Sequence, residues 1–204
     1  ADLNEEDKAK LRDINKELSM AELTFGQNLL AENNAYQRFV TDEAELAGLP
    51  EGVKQAAAEA AKEAGQEGKW LFTTSKASFM PVLQYGDNRP LRKDLLLAWA
   101  NRGDNGNAND NKETIKKVMQ LRIQRSNLLG FKTPAHFILE DKMAKTPEKV
   151  YEFLATVWQP AVNQAKKEAY DLQKLMDEAG KGEKLEAWDW WYYAEKLRKA
   201  KYDL

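Results

Sequence analysis

Apolar residues recur at steps of three and four along most of this sequence, which is the spacing that places them on one face of a helix. The first such stripe, within residues 4–34, consists of Leu11, Ile14, Leu18, Ala21, Phe25 and Leu29. A β-strand would instead alternate with a period of two. The pattern therefore predicts one long amphipathic helix at the start of the chain and favours a fold built from packed helices.

Helix start signals divide the rest of the chain. Thr133-Pro134 and Thr146-Pro147 each place a capping residue before a proline at the first helical position, so helices are predicted to begin at Pro134 and Pro147. Further helices are predicted over residues 53–64, 78–85, 89–101 and 111–129, and from about residue 189 onward.

The helix from Pro147 is predicted to run to about Glu178, with a kink near Trp158 caused by Pro160. Its apolar residues are predicted to face a core, and they are Val150, Phe153, Leu154, Val157, Trp158, Ala161, Ala165, Leu172 and Leu175.

Two short runs have the β-branched and aromatic composition of strands. Arg38–Thr41 and Trp70–Thr74 are predicted to pair antiparallel as a small two-stranded ribbon on a helical body. The sequence shows no repeat of fixed period and no composition break that requires two domains. The predicted fold class is therefore all-α, with residues 1–204 as a single helical segment.

Composition excludes several classes of function. Lys and Arg total 31 against 33 Asp and Glu, so the net charge of -2 offers no general attraction to nucleic acid or to an anionic membrane. With no cysteine, disulfides, thiolate metal sites and cysteine nucleophiles are excluded. No apolar run reaches the roughly 18 residues of a membrane span. We therefore expect a soluble chain that binds neither nucleic acid nor membrane.

The single histidine, His136, limits metal and hydrolytic chemistry. A metalloprotease helix needs His-Glu-x-x-His, which one histidine cannot supply. His136 and Glu140 stand four residues apart on a predicted helix, the spacing of a pair on one face, but two ligands do not hold a catalytic zinc. We interpret His136 as an ion-paired or hydrogen-bonded structural residue.

The polar loop over residues 103–110 resembles a calcium-binding loop in composition only. With Asn105 as the first position, Asp110 takes the place of the required glycine and Lys116 that of the bidentate glutamate. Phosphate-loop, dinucleotide and nucleophilic-serine motifs are missing as well. The sequence therefore assigns no catalytic residue, no metal ligand and no substrate-binding residue to this segment.

Residues 188–193, Trp-Asp-Trp-Trp-Tyr-Tyr, form the densest aromatic cluster, and basic residues follow it. Such a segment could stack on single-stranded nucleic acid or lie in a membrane interface. Burial of one tryptophan gains about 4–6 kcal/mol at roughly 25 cal/mol per Å², which favours inward packing. We predict that the cluster packs in a core or against another domain.

Six sequence blocks carry a family resemblance. They are residues 25–35 (FGQNLLAENNA), 45–50 (ELAGLP), 87–92 (DNRPLR), 128–131 (LLGF), 140–147 (EDKMAKTP) and 188–193 (WDWWYY). In this order the chain resembles, over essentially its whole length, the thimet-oligopeptidase-like family of zinc metallopeptidases. Within that family it looks most similar to the bacterial peptidyl-dipeptidases, also called dipeptidyl carboxypeptidases, and to oligopeptidase A.

The resemblance implies a segment that precedes the family's catalytic His-Glu-x-x-His helix, so the zinc and its ligands belong to the full-length parent and not to residues 1–204. It implies a parent that removes C-terminal dipeptides from short peptides in a deep channel. The partners implied are the rest of the parent chain and short peptide substrates. We expect a segment that is inactive alone, from a cytoplasmic or periplasmic parent.

Two other functions are compatible with the helical periodicity: a stand-alone helical interaction module and a catalytically dead paralogue complete at this length. The sequence stops within a charged helical pattern that has no Gly or Pro stop signal. We therefore expect a fragment of a longer chain.

Overall fold

The computed structural model describes residues 3–180 and 182–202, and these residues are mainly helical, which confirms the predicted fold class. In chain order they form α1 (Glu5–Ala35), α2 (Glu51–Glu63), α3 (Lys76–Tyr85), α4 (Arg89–Ala100), α5 (Lys112–Leu128), α6 (Pro134–Leu139), α7 (Pro147–Glu178) and α8 (Trp190–Tyr202). Short 3₁₀ turns lie at Glu43–Leu46 and Ala187–Asp189. Within this part of the chain, no helix has both the length and the apolar composition needed to cross a membrane.

The predicted helix starts at Pro134 and Pro147 are confirmed. At each start the preceding threonine accepts a hydrogen bond from the backbone N–H three residues further on, at 3.4 Å for Thr133 and 3.3 Å for Thr146. The proline costs little at this position because the first N–H groups of a helix have no partner within it. α7 then continues past Pro160 without ending.

The predicted two-stranded ribbon is confirmed, although it is shorter than expected. Strands β1 (Arg38–Val40) and β2 (Trp70–Phe72) pair antiparallel. The register pairs Arg38 with Phe72, Phe39 with Leu71 and Val40 with Trp70. β2 stops at Phe72 because the next N–H, that of Thr73, donates to Ser78 Oγ at 2.9 Å and so leads into α3.

The backbone divides into two compact units. The first unit contains the residues up to Ala31 together with Gly103–Asn163, and the second contains Glu32–Arg102 together with the residues from Gln164 onward. The main core belongs to the second unit and consists of Val40, Leu46, Leu49, Ala57, Phe72, Phe79, Val82, Leu83, Leu91 and Leu95. A smaller cluster in the same unit joins Leu172 and Met176 of α7 to Tyr193 of α8.

The core of the first unit is small. Leu18 and Ala21 of α1 pack against Val118 and Leu121 of α5, so the predicted inward stripe of α1 is confirmed at its centre. Near this core, the buried Asn111 amide donates to the Phe25 carbonyl at 3.1 Å. A single helix pair therefore supplies the buried apolar contacts of this unit.

The prediction that the first half of α7 faces a core is wrong. Every residue from Tyr151 to Ala161 is exposed, including Phe153 at 66% and Trp158 at 68%. Ala165 is exposed too. The physical reason is that helical spacing determines which side chains share a face, whereas burial requires another element to cover that face.

The inward prediction does hold in the second half of α7. Leu172 is 3% exposed, and Leu175 packs against the same cluster. The apolar stripe of one helix is thus buried at one end and open to solvent at the other.

Candidate functional site

A buried arginine–carboxylate cluster in the second unit is the most strongly connected polar feature of the described residues. Arg89 and Arg92 come from the first turn of α4, and Asp189 comes from the 3₁₀ turn before α8. Asp189 is fully buried and Arg92 is 2% exposed. We call these three residues the Asp189 cluster.

The Asp189 carboxylate is held by several donors. Arg89 donates through Nε at 3.0 Å and through Nη2 at 2.8 Å, and Arg92 Nη2 donates at 2.9 Å. The backbone N–H of Glu186 adds a bond at 3.0 Å and closes a capping box around the turn. Two arginine side chains and the backbone N–H at the start of the 3₁₀ turn therefore fix the Asp189 side chain.

The Arg92 guanidinium is also satisfied on its other edges. It donates to the Gly86 carbonyl at 2.7 Å and to the Trp188 carbonyl at 3.1 Å, and it lies 4.2 Å from the centre of the Tyr192 ring. A buried charge needs such partners because an unpaired one is costly. The contacts tie the start of α4 to the segment that leads into α8.

Ionisation of the cluster follows from these contacts. Burial raises the pKa of Asp189, but the hydrogen bonds from Arg89 and Arg92 outweigh burial, so the pKa lies below its ordinary value. Burial and the bond to Asp87 raise the pKa of the Tyr192 hydroxyl, which donates to Asp87 at 2.5 Å. Asp189 is therefore ionised, and its oxygens already accept hydrogen bonds from Arg89, Arg92 and Glu186. Its role is to hold these groups in position.

A second feature of this unit is a polar pocket of about 480 Å³, which we call the Trp99 pocket. Its lining consists of Asn33, Asn34, Tyr36, Gln37, Thr73, Thr74, Ser75, Lys76, Trp99 and Arg102. Asn33 Oδ1 accepts from Thr74 Oγ1 at 3.0 Å and from Arg102 Nη1 at 2.8 Å. Arg102 also donates to the Trp99 carbonyl at 2.7 Å and lies 5.0 Å from the Trp99 ring centre.

Sequence reasoning did not find this pocket. Its residues come from the end of α1, the segment after β2 and the end of α4, so no short motif contains them. The sequence feature that could have indicated the pocket is a set of polar residues at helix ends. The clearest of them is Arg102, which follows Trp99 by three residues.

His136 is the structural residue that the sequence predicts. Its Nδ1 lies 2.8 Å from Thr133 Oγ1, and its Nε2 lies 3.8 Å from a Glu148 carboxylate oxygen. Glu140, four residues further along the chain, is the C-cap of α6. The imidazole therefore contacts the N-cap residue of α6 and a carboxylate in the first turn of α7.

Carboxylates of the polar loop of residues 103–110 bind the side chain of Lys112, which follows the loop. The Lys112 ammonium contacts the carboxylates of Asp104 and Asp110, at 2.6 Å for Asp110. The hydrogen bond from Lys112 lowers the pKa of Asp110 to about 2. Across residues 3–180 and 182–202, no three His, Cys, Asp or Glu side chains are grouped so that they could hold a metal.

The aromatic cluster of residues 188–193 packs largely as predicted. Tyr193 is 3% exposed, and Trp190 packs with it against the α7 residues of the smaller core. Trp188 and Tyr192 lie beside the Asp189 cluster. Trp191 is the exception at 48% exposed, so part of this surface faces solvent.

Comparisons with known proteins agree on one family. The profile described as Peptidase family M3 matches residues 82–204. The chain is 36% identical to the dipeptidyl carboxypeptidase of Escherichia coli strain K12, over 100% of this chain and 30% of that protein. It is 33% identical to oligopeptidase A of Haemophilus influenzae, over 98% of this chain and 30% of that protein. It is 31% identical to a probable cytosolic oligopeptidase A of Arabidopsis thaliana, over 99% of this chain and 30% of that protein.

The chain therefore spans about 30% of the length of these curated relatives.

Proposed function

This chain belongs to Peptidase family M3, and from that membership we propose that it is the non-catalytic helical portion of a zinc-dependent oligopeptidase. The proposed parent removes C-terminal dipeptides from short peptides in a deep channel, in the cytoplasm or the periplasm. The match to a dipeptidyl carboxypeptidase along the whole chain, at 36% identity, supports the dipeptidase assignment.

The observation that carries the proposal is the exposed first half of α7. Tyr151, Phe153, Leu154, Val157 and Trp158 present large apolar side chains to solvent on consecutive turns. Contiguous apolar surface of this kind on a water-soluble protein indicates a covered interface. Relatives of which this chain spans 30% have further polypeptide that could supply the cover. The first partner we propose is therefore the rest of the parent chain.

Zinc does not fit the residues described here. The single histidine is engaged by Thr133 and Glu148, and the described side chains provide no third ligand near it. A catalytic zinc needs three protein ligands and an open position. We therefore place the zinc ligands in the parent outside these 204 residues, and we assign to this chain no step at the reacting carbonyl.

The role that we assign to this chain is to form a rigid wall of the parent's peptide channel. The Asp189 cluster fixes α4 against the start of α8 with buried, charge-assisted hydrogen bonds, which are the stronger kind. A catalytic group must be held within a fraction of an ångström by its surroundings. A rigid helical wall is what a peptide channel needs from such a segment.

The test compares the 204-residue chain with the full product of its gene. We expect the chain alone to hydrolyse no peptide, and the full product to release dipeptides and lose activity with a chelator. A Trp188→Ala substitution in the full product should lower stability or raise KM and leave the zinc content unchanged. Chelator-sensitive cleavage by the chain alone, or a gene without His-Glu-x-x-His beyond Leu204, would contradict the proposal.

Taken without the match to the curated relatives, the exposed face of α7 also suits a helical interaction module that binds another protein. In that case the gene product would end near residue 204 and would have no peptidase activity. A catalytically dead paralogue predicts the same two results without a protein partner. The length and zinc content of the natural gene product therefore separate the proposed enzyme from both alternatives.

A further inference from the structure

The Trp99 pocket has the lining of a binding site for a small anion. Its volume of about 480 Å³ lies within the roughly 300–1,000 Å³ of ligand pockets, and its lining is mainly polar. We propose that it binds a ligand with a carboxylate and an adjacent apolar side chain. The C-terminal residue of a peptide has this chemistry, and its choice as the ligand rests on the proposed peptidase function.

The charge of the lining selects an anion. The charged side chains that line the pocket are those of Arg102 and Lys76, and no carboxylate lines it. Arg102 donates to a backbone carbonyl and to the Asn33 amide oxygen and lies over the Trp99 ring, and none of these contacting groups carries a negative charge. The neighbouring Glu32 is buried and does not line the pocket.

The cleft beside Trp188 provides the contrast within the same unit. Arg89 there is paired with Glu183 at 2.9 Å and with Asp189, so its charge is already balanced. An added anion would have to displace these carboxylates. The lining of the Trp99 pocket has no carboxylate that an added anion would have to displace.

Aromatic rings supply the apolar wall. Trp99 is 40% exposed although one of its faces stacks on Phe79, with ring centres 5.4 Å apart. The half-buried Tyr36 lines the same pocket. The indole is therefore held between Phe79 and the Arg102 guanidinium, and its exposed part is the surface that an apolar side chain would contact.

Uncharged donors complete the lining. Ser75 and Gln37 place a hydroxyl and an amide around the same space as the two cations, and the Thr73 hydroxyl donates to Ser75 Oγ at 3.2 Å, which leaves the Ser75 hydroxyl proton to donate to a ligand. These groups match the peptide amide that precedes a terminal carboxylate. The pocket therefore recognises a carboxylate, an apolar side chain and one amide together.

The experiment is calorimetric titration of the 204-residue chain with N-acetyl-alanyl-phenylalanine as the free acid and as the C-terminal amide. We expect the acid to bind about tenfold more tightly than the amide, and to bind more weakly as salt increases. Equal binding of acid and amide, or no binding of the acid, would overturn the proposal. A third probe, N-acetyl-aspartyl-phenylalaninamide, carries its carboxylate on a side chain. If it bound as tightly as the acid, the assignment to a C-terminus would be wrong.

Variants locate the binding. Lys76→Gln removes an exposed cation and should weaken binding of the acid several-fold, while Arg102→Gln should abolish it. The matched control is Lys93→Gln, which removes an exposed cation over the Trp188 ring in the same unit and should change nothing. An equal loss with Lys93→Gln would contradict the assignment. If Arg102→Gln fails to fold, Lys76→Glu replaces it and should abolish binding.

The titration and the proposed function can fail separately. The titration uses the chain alone and needs no hydrolysis, so absence of binding leaves the activity of the full product as it is. Conversely, an inactive full product leaves the preference for acid over amide intact.

Discussion

The two units of this chain differ in how many of their apolar side chains they bury. The second unit buries a continuous core from α2, α3, α4 and the ribbon and adds the buried Asp189 cluster. The first unit buries one α1–α5 contact and exposes large apolar residues on its helices and in the turn before α7. These exposed residues are Met20, Leu23, Leu30, Ile115, Met119, Ile123, Ile138, Met143, Tyr151, Phe153, Leu154, Val157 and Trp158.

The difference shows that amphipathic helices alone do not make a core. α5 buries Val118 and Leu121 on one face and exposes Ile115, Met119 and Ile123 on another. A helix that is apolar on two faces belongs between two layers. The second unit builds its layers from its own elements, and for the first unit we propose that the rest of the parent chain supplies the second layer.

Among substitutions that change a charge, the largest effect is expected from Asp189→Asn. The substitution leaves the buried Arg92 charge without a carboxylate, and breaking a buried pair in this way should cost about 3 kcal/mol of the free energy of unfolding. Urea denaturation followed by circular dichroism measures the cost. The control is Glu183→Gln, which removes the exposed partner of Arg89 and should cost less than about 1 kcal/mol. Equal costs for the two variants would show that the cluster does not hold the second unit together.

A backbone substitution tests the same unit without touching charge. Gly48 has a φ of +83°, and an added Cβ would collide with the Tyr85 carbonyl oxygen. Gly48→Ala should therefore cost about 2 kcal/mol. Gly52→Ala is the matched control, because a Cβ there meets nothing within 4 Å and alanine favours a helix. Thermal unfolding of both variants should show a lower Tm for the first and an unchanged or higher Tm for the second.

Acid should lower the free energy of unfolding of the second unit by protonating Glu195. The hydrogen bond from Arg198 lowers the pKa of Glu195 to about 2 from an ordinary 4.5. A carboxylate with a lowered pKa adds stability that is complete above the ordinary value and is lost as pH falls through the folded value. We expect stability to fall between pH 4.5 and about 2, and to fall less in Glu195→Gln. Urea midpoints across this range measure the difference, and identical slopes would contradict it.

The smallest effect is expected at the exposed face of the first unit. Phe153→Ser in the 204-residue chain should change the free energy of unfolding by no more than about 0.5 kcal/mol, since the ring is already in solvent. Leu95→Ala in the second unit should cost about 2–5 kcal/mol because Leu95 is fully buried. A large cost for Phe153→Ser in the chain alone would mean that the ring is covered within these residues.

Local features of the fold could be predicted from the sequence, and long-range ones could not. Pro134 and Pro147 mark helix starts because capping is decided within four residues. The Arg92–Asp189 pair joins positions 97 residues apart, and no spacing rule reaches that far. The density of aromatic residues around 188–193 did indicate a core, but it did not show that the aspartate among them anchors it.

The candidate site shows the same limit. The single His136 was enough to predict a structural role, because chemistry with one imidazole is restricted. The residues that contact it, Thr133 and Glu148, were not predicted, because Glu148 belongs to the next helix. The Trp99 pocket is assembled from three separate stretches of chain, so its lining becomes visible only once the helices are packed.

Hydrogen exchange of backbone amides tests the central claim most directly. In the 204-residue chain we expect amides of residues 151–161 to exchange much faster than those of buried helix segments such as residues 91–95. In the full gene product, residues 151–161 should become strongly protected because the rest of the parent covers them. Equal protection of the two segments in the chain alone, or no gain in the full product, would contradict the account.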